Sequence, residues 1–97
     1  MLYEDANKLP AKSLDLNRAI DSLKEEMEAV SAYQQRADAC SDPELKKILL
    51  HNRDEEKEHG AMLIEWIRQN DPEFAKEAAD YFNLETKDIA GKEEKVH

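Results

Sequence analysis

Glu56 and His59 stand three residues apart in the run Arg53-Asp54-Glu55-Glu56-Lys57-Glu58-His59. Residues at i and i+3 share one face of a helix. A carboxylate and an imidazole so placed suit a divalent metal ion. Around them Leu45, Ile48, Leu49, Asn52, Leu63, Trp66 and Ile67 recur at steps of three and four, which puts the pair inside an apolar stripe. A charged group there is costly unless it is paired or ligated. Such an E-x-x-H is the repeating half-unit of the di-metal carboxylate sites of four-helix bundles.

A site of that kind also needs a lone glutamate from a facing helix. The upstream segment offers Glu25, Glu26 and Glu28. Glu26 borders the apolar arc, near Met27, Val30 and Tyr33, whereas Glu25 and Glu28 turn further outward. Glu26 lies sixteen residues before Asp42 and Glu56 fourteen after it, so in an antiparallel hairpin the two are level. Tyr33, seven residues beyond Glu26, is placed to hydrogen-bond a ligand. One chain therefore supplies half a site. Two chains about a two-fold axis would complete it with four Glu and two His, holding two metal ions per dimer. Ala29, Ala32, Tyr33 and Cys40 form a mostly small-residue edge for a second helix. Carboxylate oxygens favour Fe(III) over Fe(II), and open positions would admit oxygen, so the chemistry fits iron and its oxidation, with zinc or manganese in the same ligands left open.

Other spacings invite blander readings. Glu94 and His97 repeat the E-x-x-H in the tail, an accident expected in a chain with fourteen Glu. His51, Glu55 and Glu58 fall on the polar side of the second helix, as a solvated face or a weak outer cation site. Glu25 and Glu28 are plain surface or a waiting site for ions. A rival from another class is a non-catalytic acidic helical adaptor. A rubrerythrin-like peroxidase would need paired cysteines, and Cys40 is the only one.

The elements that must position these residues follow from the breakers. No Gly or Pro occurs from Ala11 to Asp42, and Leu16, Ile20, Leu23, Met27 and Val30 give that segment an amphipathic face, so a long helix is expected from Ser13 as N-cap, or from an earlier start that Pro10 leaves open, to about Cys40. Asp42-Pro43-Glu44 and Asp71-Pro72-Glu73 each read as a turn, an N-cap and a helix start. They predict a second helix to about Asn70 and a third to about Asn83, carrying Phe74, Ala78, Tyr81 and Phe82. The expected fold is all-α: a 13–83 helical region of antiparallel hairpin plus short third helix, dimerising into a four-helix bundle. It is preceded by an irregular 1–12 and followed by a weakly ordered 84–97.

Composition fits. Charged residues are 38% and aromatics 6%, leaving little for a deep core, so a metal or partner subunit is expected to contribute. A net charge of −9 argues against nucleic acid as a partner, since its phosphates would repel the chain. No secretory leader or membrane-length apolar run is evident, and a cytoplasmic protein is expected.

With these residues in view, the runs Glu25-Glu26-Met27-Glu28-Ala29-Val30, Tyr33-Gln34-Gln35-Arg36, His51 through His59, and Glu65-Trp66 resemble the encapsulated ferritins, across about Asp21 to Leu84. The resemblance implies a ferroxidase working inside an encapsulin nanocompartment, with the encapsulin shell as partner and oxygen as co-substrate. It also implies ring-shaped decamers of dimers, each dimer building an iron site between subunits. By position the iron ligands fall on Glu26, Glu56 and His59, the site tyrosine on Tyr33, the ion-admitting glutamates on Glu25 and Glu28, and an outer cation site on His51, Glu55 and Glu58. Ala32 departs from the tryptophan expected in some relatives, and the tail after Leu84 shows no clear encapsulin-docking peptide.

Overall fold

A computed structural model describes residues 1–93. Among the described residues three α-helices follow a 3-10 turn at Ala6–Lys8: α1 (Ala11–Ala39), α2 (Pro43–Asn70) and α3 (Pro72–Tyr81). No strand occurs among the described residues, so the all-α class stands. The second E-x-x-H, Glu94 to His97, lies outside them.

α1 begins earlier than the expected Ser13 cap. Pro10, with φ −66° and ψ 156°, occupies the cap position without a side-chain hydrogen bond. Its carbonyl accepts from the Ser13 and Leu14 N–H groups at 3.0 and 3.2 Å. Proline's fixed φ turns the chain into the helix directly, and Ser13 lies within the first turn. At the other end the Cys40 N–H closes on the Ala37 carbonyl at 3.2 Å.

The two Asp-Pro starts behave as their chemistry requires. Asp42 accepts from the Leu45 N–H at 2.7 Å, and Asp71 accepts from the Phe74 N–H at 3.1 Å. Each carboxylate satisfies a donor that the first helical turn leaves open. Glu44 and Glu73 add negative charge at those positive helix ends. α3 stops at Tyr81, two residues short of Asn83: Phe82 already leaves the helix at ψ 143°, and Asn83 follows with a left-handed φ of 61°. Asparagine tolerates that conformation better than most residues.

The chain forms two compact units, Met1–Trp66 and the segment from Ile67 onward. The first is the antiparallel hairpin. Its cross-helix contacts, Gln34 with Arg53 and Glu26 with His59, pair residues of steadily opposite number. α1 packs through a heptad row of Leu16, Ala19, Leu23, Glu26, Val30, Tyr33 and Ala37, every member buried or half-buried. Ala19 and Ala37 are the most enclosed, at 7% and 0% exposure.

The apolar stripe read along α2 divides in two. Leu49, Arg53, Glu56, Gly60 and Leu63 form the enclosed row. Leu45, Ile48, Met62 and Trp66, with His59 among them, form a second row that is exposed in the single chain. The larger members of the α1 stripe split likewise: Ile20 and Met27 remain exposed. Each helix was too apolar for a single neighbour, and one hairpin satisfies only one row.

In the second unit Ile67 and Ala78 are buried. Phe74 and Phe82 pack edge to face with ring centroids 6.2 Å apart.

Candidate metal centre

Glu26 is carried by the packed row of α1, between Leu23 and Val30. Glu56 sits on the packed row of α2, one turn before Gly60. His59, one step round the same helix, reaches back from the exposed row. Its Nδ1 lies 3.5 Å from Glu26 Oε2 and 3.5 Å from Glu56 Oε2. Ligand atoms of all three residues lie within 4.8 Å of one another. That span is close to twice a metal–ligand bond of about 2.1 Å, so a small inward movement would let one ion touch all three.

The burial is uneven. Both carboxylate side chains are 24% exposed, whereas His59 is 47% exposed. Glu26 Oε2 is itself buried and has no hydrogen-bond partner. A buried carboxylate oxygen without a donor is costly, and a second carboxylate nearby adds repulsion. A cation between them would relieve both. The donor set of two carboxylates and one imidazole suits a first-row divalent metal, iron included.

The other sequence candidates are placed as follows. The Tyr33 ring lies beneath the Arg36 guanidinium, 5.7 Å from its centroid, and no hydrogen bond joins its hydroxyl to Glu26 among the described residues. Glu25 and Glu28 are exposed and line an open depression with Met1, Asp21 and Lys24. The Met1 amine pairs with Asp21 there. His51 Nε2 stands 3.6 Å from Glu55 Oε1 in an exposed pair, and Glu58 does not join them. Among the described residues only Glu26, Glu56 and His59 bring three such ligand atoms together.

Two residues near the centre were not foreseen from sequence. Arg53 on the packed row of α2 donates from Nη1 to Gln34 Oε1 at 2.8 Å, crossing the hairpin. Its place in the heptad three residues before Glu56 was the available signal. No helix of the described residues is long and apolar enough to cross a membrane.

An all-α hairpin with a convergent carboxylate–imidazole triad is the architecture of ferritin-like helical proteins. The chain belongs to the EncFtn-like family, whose model it matches over residues 1–85. It is 49% identical over 83 residues to the encapsulated ferritin-like protein of Rhodospirillum rubrum, covering 86% of this chain and 59% of that protein. It is 53% identical over 70 residues to a ferritin-like protein of Thermotoga maritima, covering 72% and 61%. Against the encapsulin nanocompartment cargo protein EncC of Myxococcus xanthus it is 38% identical over 79 residues, covering 78% and 57%. The chain thus spans about six tenths of the length of these curated relatives. The crystal structure of protein ne0167 from Nitrosomonas europaea superposes with a TM-score of 0.86 at 54% identity, covering 90% of this chain and 96% of that one.

Proposed function

We propose that this protein is a ferroxidase: it takes Fe(II) as substrate, passes its electrons to oxygen and releases Fe(III). The observation that carries the reading is the buried Glu26 Oε2, which has no hydrogen bond and stands 3.5 Å from His59 Nδ1 beside Glu56. Each Fe(II) gives up one electron, so two ions held side by side deliver the pair that oxygen accepts more readily. Glu26, Glu56 and His59 bind and orient the ions. The carboxylates stabilise the higher charge of Fe(III), which favours the forward direction. Tyr33 supports the site from α1, and Glu25 and Glu28 draw cations towards it.

The reading includes a second copy of the chain. The half-exposed His59 lies in a row with exposed Leu45 (48%), Ile48 (55%) and Met62 (63%). A row this apolar, with a metal ligand in its middle, suits a face covered by another subunit, and two half-sites meeting there would give four Glu and two His. Dimers then assemble into a ring-shaped decamer. A relative carries the name of an encapsulin cargo protein, and we place this chain likewise in an encapsulin compartment, where released Fe(III) is mineralised. His51 and Glu55 serve as an outer cation site with Glu58.

Rapid iron oxidation under air is the direct test. Glu56→Ala and His59→Ala should each abolish the fast phase. Unchanged rates in both variants would overturn the assignment and favour the acidic adaptor reading.

A further inference from the structure

Arg53 lies three residues before Glu56 on the same packed row, and its side chain is only 21% exposed. Arginine and glutamate at that spacing on a helix are close enough to pair. Here they do not: no ion pair joins Arg53 to Glu56 or Glu26 among the described residues. Each of the three guanidinium nitrogens instead has a contact elsewhere. Nη1 donates to Gln34 Oε1 on α1 at 2.8 Å, while Nε and Nη2 reach Asp54 Oδ1 at 3.0 and 2.9 Å.

Gln34 is fixed in turn. Its Nε2 donates to both carboxylate oxygens of Asp38, at 3.1 and 3.2 Å. That contact leaves the amide oxygen facing Arg53. The chain Asp38–Gln34–Arg53–Asp54 therefore bridges the hairpin on the turn side of the metal centre.

We propose that Gln34 is a positioning residue that acts through Arg53, holding the guanidinium away from Glu26 and Glu56 so that both stay free for a cation. The proposal rests on the metal-site reading above. Without Gln34, Arg53 keeps only Asp54, which is 62% exposed and well screened by water. Glu56, at 24% exposure, is then the better-desolvated partner. An arginine that turned to it would stand as a permanent cation in the place where the metal binds. Removing a cross-helix hydrogen bond can also loosen the hairpin, and the test must separate the two effects.

The experiment is titration of the whole chain with Fe(II) in the absence of oxygen, reading affinity and stoichiometry. Gln34→Ala should weaken binding by about tenfold. Gln34→Glu, which keeps an oxygen for Arg53, should bind within about threefold of wild type. The decisive variant is Gln34→Ala with Arg53→Met, which removes the competing charge and should restore affinity to within about twofold. An unaltered Gln34→Ala, or a double variant as weak as Gln34→Ala, overturns the proposal. Glu56→Ala distinguishes the two levels. If it binds like wild type, the metal-site reading fails and takes this proposal with it. If it loses iron while Gln34→Ala does not, the role of Gln34 alone is wrong.

Discussion

Gly60 on α2 faces Met27 on α1 so closely that a Cβ at position 60 would lie 2.5 Å from the Met27 methyl and 3.7 Å from a Leu23 methyl. These two residues directly neighbour His59 and Glu26. The missing side chain lets the helices approach at the level of the candidate ligands.

Substitution at Gly60 tests whether that approach yields. Alanine in a helix interior is favoured over glycine by about 1 kcal/mol. The atom in the way is the flexible tip of Met27, a residue 43% exposed, so it can turn aside. Gly60→Ala should therefore match or exceed wild type in thermal stability. The larger, β-branched Gly60→Val should lose about 1–3 kcal/mol and weaken iron binding by spreading the ligands. Denaturant unfolding of both variants, without metal, checks the pair. A Gly60→Ala protein destabilised by more than 1 kcal/mol would show that the contact does not give.

Glu26 should trade stability for function. Its buried oxygen has no hydrogen bond, and such a group costs roughly 1–3 kcal/mol. Glu26→Gln removes the charge and supplies an amide donor that can reach Glu56. The metal-free variant should unfold about 1 kcal/mol later than wild type in urea, and it should no longer bind Fe(II) tightly. A less stable apo variant would mean that Glu26 is satisfied in a way the geometry does not show.

Tyr81 gives a pH dependence in the second unit. Burial holds its phenol above the usual tyrosine range, and Glu93, Glu77 and Asp80 push in the same direction. A folded pKa above the unfolded one means that the folded state keeps its proton longer. Stability from this group is whole below pH 10 and falls as pH rises through the folded value. Tyr81→Phe should flatten that alkaline loss when α3 unfolding is followed between pH 9 and 11.5. An identical alkaline slope in wild type and variant would remove Tyr81 as its cause.

The helices were legible because their signals are local. Pro43 and Pro72, each behind an aspartate and before a glutamate, mark starts that the structure reproduces. The level of Glu26 with Glu56 followed from counting out from one turn, and the structure brings both within reach of His59. The division of each apolar stripe into a packed and an exposed row was not legible. Periodicity gives a direction around a helix, not the number of neighbours it will have. The Gln34–Arg53 bond was hidden for a similar reason. Its partners are nineteen residues apart, and each reads alone as a surface polar residue. Tyr33 shares the Glu26 row as expected, yet among the described residues its hydroxyl makes no hydrogen bond to Glu26, and its ring lies against the Arg36 guanidinium.

The measurement that bears most directly on the central claim is native mass spectrometry of the metal-free protein, titrated with Fe(II) under anoxic conditions. A site built from two half-sites predicts two irons per dimer, absent from Glu56→Ala and His59→Ala at the same iron concentration. Iron taken up equally by the variants, or an assembly that binds none, would contradict the shared iron centre.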